Sequence, residues 1–167
     1  MVLKKSQRVL SFALSLIVLL ALSSVFCFER AGAVSDGEWT YELESGGANI
    51  TSYIGTGKDV VVPAKLGNQK VYKVTAISTN NFKSSITSIT FSNGISVLGD
   101  SICKGYSSLE RVTLPDTLTS IGSDAFFGCT SLKAVTIPNS VTSIGANAFA
   151  GCTSLILSLI HIDAADE

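Results

Sequence analysis

Histidine is almost missing from this 167-residue sequence, since its one histidine is His161, near the C-terminus. His161 lies in a tail that does not continue the rest of the sequence, and if it is left aside, no Ser-His-Asp or Cys-His arrangement for nucleophilic catalysis can be drawn. The sequence offers no acid–base pair in a plausible pocket, and its cysteines lack further partners at zinc-ligand spacing. We therefore expect a protein that is not an enzyme and that binds no metal and no cofactor.

A basic stripe is missing as well. Residues 34–167 contain eight lysines and arginines against twelve aspartates and glutamates, which gives a net charge of −4. Nucleic-acid-binding domains present a basic patch or stripe, so we expect no nucleic-acid partner.

The longest apolar run lies near the N-terminus, over residues 9–25, between a basic segment and the small residues of 31–33. This order predicts a secretory signal peptide over residues 1–33, cleaved after Ala33. The chain would then be secreted or displayed on the cell surface, and would contact the membrane only before cleavage. A retained anchor is the alternative, but a run of about 17 residues is short for a span. Lipid attachment at Cys27 is disfavoured because Phe26 is too large for that motif.

An internal repeat of 23 residues organises the rest of the chain. Residues 109–131 and 132–154 align without a gap and share the run T-S-I-G-x-x-A-F-x-G-C-T-S. Residues 86–108 keep the same apolar positions with several substitutions, and a less regular unit precedes them. We therefore expect about four repeated coils over residues 63–156.

The spacing within a repeat predicts the shape of one coil. Leu132, Val135 and Ile137 have the L-x-x-L-x-L spacing of a short strand in a leucine-rich-repeat solenoid. Pro138 lacks an N–H group and is expected to end that strand. A single coil cannot bury its apolar face alone, so the fold exists only as a stacked array.

The second half of each repeat is expected to complete the coil. Val141 and Ile144 predict a second short extended segment, and Gly145 predicts a turn with positive φ. A helical or irregular side follows, with inward-pointing Ala148, Phe149 and Cys152. The predicted fold class is a β-rich α/β solenoid, a short leucine-rich-repeat array of 23-residue coils with an N-terminal β-hairpin cap.

The repeat resembles the BspA-like, or treponemal-type, leucine-rich repeat. That family's run is similar to V-T-I-P-x-S-V-T-S-I-G-x-x-A-F-x-G-C-x-S-L, which residues 135–155 follow closely and residues 112–132 almost as well. The resemblance covers roughly residues 41–155. It implies an extracellular or cell-surface protein, often an adhesin or a binding module, and carries no catalytic motif.

Residues 34–62 are predicted to form the N-terminal β-cap. Apolar Trp39, Tyr41 and Leu43 alternate with polar and acidic residues, which indicates a strand with one buried face. The aromatic face would cover the first coil. We expect strands over 38–44, 50–53 and 60–62, with a hairpin turn over 45–48.

The polar side of this cap carries two weaker motifs. Its acidic row is interpreted as a solvated face, with a calcium site as the alternative, although no Asp-rich loop of calcium-binding spacing is present. Asn49-Ile50-Thr51 matches the glycosylation sequon, which matters only in a host that glycosylates exported chains.

The tail over residues 157–167 does not continue the repeat. Its residues can be back-translated almost letter for letter into a sequencing adapter, if one base is lost. We therefore expect the tail to be translated library sequence and the natural chain to continue. An atypical C-terminal cap is the alternative.

Three cysteines follow the predicted cleavage site, so at least one thiol stays unpaired within the monomer. Cys129 and Cys152 lie one period apart and are expected to stack in adjacent coils. We favour a buried column of small apolar thiols, with a disulfide as the alternative.

The candidate ligand-facing residues form a ladder of outward side chains on the concave strands. They would bind an extracellular protein or glycan, as expected of an adhesion or interaction module. The alternatives are a targeting module of a longer exported enzyme and a structural surface spacer. The ladder comprises Thr87, Ser88 and Thr90, then Glu110, Arg111 and Thr113, then Lys133, Ala134 and Thr136.

Overall fold

The computed structural model describes residues 33–77 and 81–156, which contain short β-strands, one 3-10 helical turn (Asn81–Ser84) and no α-helix. No helix in these two ranges has the length and apolar character to span a membrane. The strands are β1 (Val34–Asp36), β2 (Trp39–Glu44), β3 (Gly47–Tyr53), β4 (Asp59–Val62), β5 (Lys65–Leu66), β6 (Gln69–Val74), β7 (Ser88–Phe91), β8 (Val97–Leu98), β9 (Arg111–Thr113), β10 (Ser120–Ile121) and β11 (Ser143–Ile144).

The repeats stack as a β-solenoid of about four turns, as their spacing predicts. Strands β6, β8, β10 and β11 pair in parallel along one side of the solenoid, one strand from each coil. Leu98 aligns with Ile121, and Ile121 with Ile144. These register partners are 23 residues apart, so the sequence period is also the structural period.

A second parallel sheet forms another side of each coil. Strand β4 pairs with β7, and β7 pairs with β9. A single bridge between Arg111 and Ala134 continues this sheet into the fourth coil. The strands are short because the chain turns directly after them, at Pro115 in the third coil and at Pro138 in the fourth.

The N-terminal strands extend the first sheet at its edge. Strands β2 and β3 form an antiparallel hairpin, and β3 pairs in parallel with β6 of the first coil. The hairpin expected from the sequence is therefore present, whereas its role as a cap stays a prediction. Residues 60–62 were expected as a third strand of this cap. They lie instead in β4, which pairs with β7 and so belongs to the second sheet of the solenoid.

The third side of the second, third and fourth coils is built from turns, and the described part of that side in the first coil contains only the 3-10 turn, so no α-helix, and with it no α/β class, is found in the described residues. The N–H groups of Asp124, Phe126 and Gly128 donate to carbonyls of the next coil at 2.7–2.8 Å. An α-helix would need those donors for carbonyls four residues earlier in the same coil. Bonding between coils therefore replaces bonding within a helix.

Gly145 serves a purpose other than the predicted positive-φ turn. A Cβ atom on Gly145 would lie 2.3 Å from the backbone nitrogen of Ser123 in the preceding coil. The left-handed backbone conformation falls two residues later, at Asn147 with φ 57°, and at Asp124 with φ 54° one coil earlier. Asparagine and aspartate tolerate this conformation better than most residues, so the glycine is required by close approach between coils.

The core is a continuous stack of apolar side chains between the sheets and the turn side. Equivalent residues of successive coils lie on one another, as Phe126 and Phe149 show with ring centroids 5.3 Å apart and planes 9° apart. Trp39 packs on Tyr53 at 4.5 Å in the N-terminal hairpin. Burial of each such large apolar side chain contributes roughly 1.5–3 kcal/mol to the stability of the fold. These side chains become buried only when the coils stack on one another.

Candidate interaction surface

The second sheet presents one face to solvent, and this face is the candidate site. Side chains alternate along a strand between the two faces of a sheet. Val112 of β9 therefore points into the core, while Arg111 and Thr113 on either side are exposed. We call the outward side chains of this sheet, with the row just before the strands, the ladder face. It comprises Lys58, Asp59, Val61, Thr87, Ser88, Thr90, Glu110, Arg111, Thr113, Lys133, Ala134 and Thr136.

Backbone hydrogen bonds hold the ladder face in three rows that run along the solenoid. In the first row, Thr87 N–H donates to the carbonyl of Lys58, and Glu110 N–H to that of Thr87, both at 2.8 Å. The second row aligns Ser88 with Arg111. The third aligns Thr90 with Thr113. All nine outward residues proposed from the sequence lie on this one surface; their role in binding stays a prediction.

Ion pairing on the ladder face is local and exposed. Lys133 Nζ lies 2.6 Å from Oε2 of Glu110 in the preceding coil, and both side chains are at least half exposed. The hydrogen bond from Lys133 is the main cause of a lowered pKa at the Glu110 carboxyl. Ser88 Oγ donates to Asp59 Oδ1 at 2.6 Å. Arg111 forms no salt bridge with any residue in 33–77 or 81–156, which leaves its guanidinium available to a partner.

Sequence reasoning missed the first-coil part of this face. Asp59 and Val61 align with Ser88 and Thr90, but the sequence interpretation placed them in the cap. Val61 is 63% exposed and adds an apolar contact point. Pro63 could have revealed the alignment, because Val-Pro at 62–63 occupies the position of Leu-Pro at 114–115. An open depression adjoins the face and is lined in part by Asn93, Thr113 and Asp116.

Comparison with known proteins decides the family. A model described as BspA type leucine-rich repeat region matches residues 69–162 in six copies. The chain belongs to the BspA-type leucine-rich-repeat family. The comparison with curated proteins finds no match.

Solved structures of leucine-rich-repeat proteins resemble this BspA-type chain. A leucine-rich repeat protein from Bacteroides capillosus ATCC 29799 is 28% identical, with a TM-score of 0.60 over 76% of this chain and 99% of its own. The T. pallidum leucine-rich repeat protein is 27% identical, with a TM-score of 0.55 over 75% of this chain and 71% of its own. A third, from Bacteroides ovatus ATCC 8483, is 28% identical, with a TM-score of 0.51 over 75% of this chain and 40% of its own.

The sequon of this BspA-type chain lies in a polar network between the hairpin and the first coil. Asn49 is 4% exposed, and its Nδ2 donates to Glu44 Oε1 at 2.8 Å while its Oδ1 accepts from Thr75 Oγ1 at 3.2 Å. Tyr72 O–H also donates to Glu44. Both amide atoms of Asn49 are therefore engaged, and the folded chain does not present Asn49 for glycosylation.

Glu44 accordingly differs from the solvated row expected of the acidic residues on β2. Its hydrogen bonds with Tyr72 and then Asn49 lower the pKa of the carboxyl, and Lys73, 3.9 Å away, adds to the effect. The hydrogen bond between Tyr72 and Glu44 is also the main reason that the pKa of Tyr72 is raised to about 12. The network fastens the hairpin to β6. Within the described ranges no group of three or more His, Cys, Asp or Glu residues could hold a metal ion.

The three cysteines of the repeats are free thiols. Cys129 Sγ donates to the carbonyl of Cys103 at 3.2 Å, and Cys152 Sγ to that of Phe126 at 3.1 Å. Burial raises the pKa of all three thiols, most strongly at Cys103. A reactive cysteine needs a lowered pKa, so this arrangement fits the column of packed thiols expected from the sequence.

Proposed function

We propose that this chain is an exported interaction module, secreted or displayed on the cell surface, whose ladder face binds an extracellular protein or glycan. The observation that carries the proposal is the ladder face itself, an aligned polar surface across four coils whose central Arg111 forms no salt bridge with any described residue. Membership of a repeat family whose proteins are commonly secreted or surface-exposed supports it.

The chemistry of the ladder face favours a ligand with hydrogen-bonding groups and at least one negative charge. Arg111 can bind a carboxylate or sulfate through two parallel N–H donors. The hydroxyls of Thr90, Thr113 and Thr136 offer donors and acceptors beside it. Val61 adds an apolar contact at the first-coil end.

The size of the ladder face favours a small ligand or weak binding. The three strands of this sheet, of three or four residues each, and the bridge of the fourth coil lie about 4.8 Å apart, so the face spans about 19 Å by about 13 Å, or about 250 Å². That area is well below the roughly 800 Å² that each partner buries in a stable protein complex. We therefore expect a glycan, or a protein epitope bound with micromolar affinity.

The binding proposal is tested by probing the purified chain on an array of acidic and neutral glycans and on immobilised extracellular-matrix proteins. We expect binding to one acidic class, and loss of that binding in Arg111→Gln. Lys104→Gln is the matched control, because Lys104 is an exposed cation on the turn side of the solenoid. Binding that survives Arg111→Gln, or that Lys104→Gln reduces equally, would place the ligand elsewhere. Absence of any binding would favour a structural spacer.

The export proposal rests on residues 1–33, of which 1–32 lie outside the described residues, and has a separate test. We expect an exporting bacterial host to release a product whose N-terminus is Val34. The measurement is N-terminal sequencing and intact mass of the medium and membrane fractions. Ala33→Phe is the informative variant, because a signal peptidase requires a small residue before the cleaved bond. An intact chain in the membrane would instead support a retained anchor.

A further inference from the structure

Arg111 lies between two small residues in the second row of the ladder face. The strand register aligns it with Ser88 of the second coil, and a single bridge joins it to Ala134 of the fourth. These short side chains leave the guanidinium group uncovered along the row. Arg111 is exposed and forms no salt bridge with any described residue. A ligand can therefore reach the guanidinium group from solvent.

An acidic residue occupies the same row two coils before Arg111. Asp59 of the first coil aligns with Ser88, so the second row runs from Asp59 through Ser88 to Arg111. Neighbouring strands lie about 4.8 Å apart, which puts the backbone of Asp59 about 10 Å from that of Arg111. Asp59 is also exposed, and it forms no salt bridge within residues 33–77 and 81–156.

Ser88 fixes the position of the Asp59 carboxylate. Its hydroxyl donates to Oδ1 of Asp59 at 2.6 Å, which draws the carboxylate toward the second coil and the middle of the row. A carboxylate offers about four lone-pair sites for hydrogen bonds. One bond from Ser88 therefore leaves Asp59 able to accept from a ligand.

The other charged side chains of the ladder face leave these two charges in place. Lys133 and Glu110 pair with each other at 2.6 Å. Lys58 precedes Asp59 and is exposed, but forms no salt bridge with it. The second row thus presents an accessible carboxylate and an accessible guanidinium group about 10 Å apart.

We infer that the ligand of the ladder face is zwitterionic, an acidic glycan that also carries free amino groups. The inference rests on the binding role proposed above for the ladder face. The glycan runs along the second row, with a carboxylate or sulfate on Arg111 and the ammonium group of an unacetylated amino sugar on Asp59. A glycan with acidic groups alone brings a second negative charge to Asp59 when it spans the row, and like charges in contact select against such a partner.

The test compares two forms of one oligosaccharide by calorimetric titration of the purified chain. The probe alternates uronic acid with glucosamine that has a free amine, and its N-acetylated form keeps every carboxylate but loses the positive charges. We expect the free-amine form to bind at least about threefold more tightly, as the gain from an exposed ion pair allows.

Variants assign this preference to Asp59. Asp59→Asn keeps an oxygen that can accept from Ser88 but removes the charge, so the preference should disappear. Glu42→Gln is the matched control, because it removes an exposed carboxylate of β2, outside the ladder face. Lys58→Gln should increase the preference, since it removes a cation that competes for Asp59. Circular dichroism checks that each variant is folded.

The outcomes separate this inference from the proposal on which it rests. If the two forms bind equally and Arg111→Gln weakens both, the ladder face is the binding surface but its ligand is not zwitterionic. If neither form binds, or Arg111→Gln changes neither affinity, both the inference and binding of an acidic glycan at the ladder face are wrong. Equal loss of the preference in Asp59→Asn and Glu42→Gln would assign it to overall charge and overturn the inference.

Discussion

Replacing Gly122 by alanine tests how closely the coils must approach one another. A Cβ atom at this position would lie 2.5 Å from the carbonyl carbon of Gly99 and 2.6 Å from the backbone nitrogen of Asp100. Both atoms belong to the backbone of the preceding coil, so no side-chain rotation can relieve the clash. The coils would have to separate at this point.

The expected cost follows from the contacts that the separation disturbs. Forcing an extra methyl group into a packed interior costs about 1–3 kcal/mol. The hydrogen bonds from Gly122 N–H to Leu98 O at 2.9 Å and from Ser123 N–H to Asp100 Oδ1 at 2.7 Å would weaken, at about 1 kcal/mol each. Alanine also lowers the conformational entropy of the unfolded chain relative to glycine, which offsets about 0.4–1 kcal/mol of this destabilisation. We expect a net loss of about 2–4 kcal/mol in the free energy of unfolding.

Gly105 supplies the control because its glycine is needed for a different reason. Its φ is +76° and no atom lies within 4 Å of a Cβ built there. Alanine should therefore cost only the strain of the left-handed conformation, about 1–2 kcal/mol. Asparagine tolerates that conformation better, so Gly105→Asn should be milder than Gly105→Ala. At Gly122 the order should reverse, since asparagine is larger.

Urea unfolding followed by circular dichroism measures these differences. With a slope of about 2 kcal/mol per molar urea, Gly122→Ala should lower the midpoint by about 1–2 M. The slope itself must stay constant, because repeat arrays can lose cooperativity. A midpoint for Gly122→Ala within about 0.3 M of the parent, on that same slope, would refute the close-approach explanation.

Three further predictions concern the described residues outside the ladder face. In a glycosylating host, the folded chain should carry no glycan at Asn49, and intact mass checks this; occupancy above a trace would contradict its burial. Under native conditions alkylation should label Cys152 before Cys129, and equal rates would contradict the buried column. Because the pKa of Glu44 is lowered in the folded chain, its carboxylate stabilises the fold at neutral pH, and this stability is lost as the pH falls through that pKa. Tyr72→Phe removes the main cause of the shift, so the free energy of unfolding, measured by urea titration at several pH values, should depend less on pH.

The repeat register could be predicted because it depends on few residues. Each inward position holds an apolar or small side chain that recurs every 23 residues. All of these side chains can be buried only if equivalent residues of successive coils stack on one another. The stacked rings of Phe126 and Phe149 and the pairing of Ile121 with Ile144 confirm that register. The outward positions followed from strand alternation once the inward positions were known.

The assignment of β4 could not be made from local pattern. Alternating Val60 and Val62 predict a strand, but alternation does not say which strand will be its partner. The first coil was therefore expected to begin at Pro63, and the strand that precedes this proline was assigned to the cap. As a result the sequence interpretation left Asp59 and Val61 out of the ladder face.

The helical alternative for the turn side is not found in the described residues, and the positive φ predicted at Gly145 is not observed, for one physical reason. Glycine is selected both where φ is positive and where another backbone comes close, and a sequence does not distinguish the two. The sequence pattern likewise does not show that N–H groups such as that of Phe126 bond to the next coil. Only the stacked structure shows that these donors are unavailable to a helix.

The measurement that tests the central claim most directly is a binding isotherm for two matched double variants against the ligand found in the array screen. Arg111→Gln with Lys133→Gln removes two exposed cations of the ladder face, and Lys83→Gln with Lys104→Gln removes two exposed cations on the third side of the solenoid. We expect the first to weaken binding at least about tenfold, equivalent to about 1.4 kcal/mol, and the second to change nothing. Equal affinities for both variants and the parent would contradict the ladder face as the binding surface.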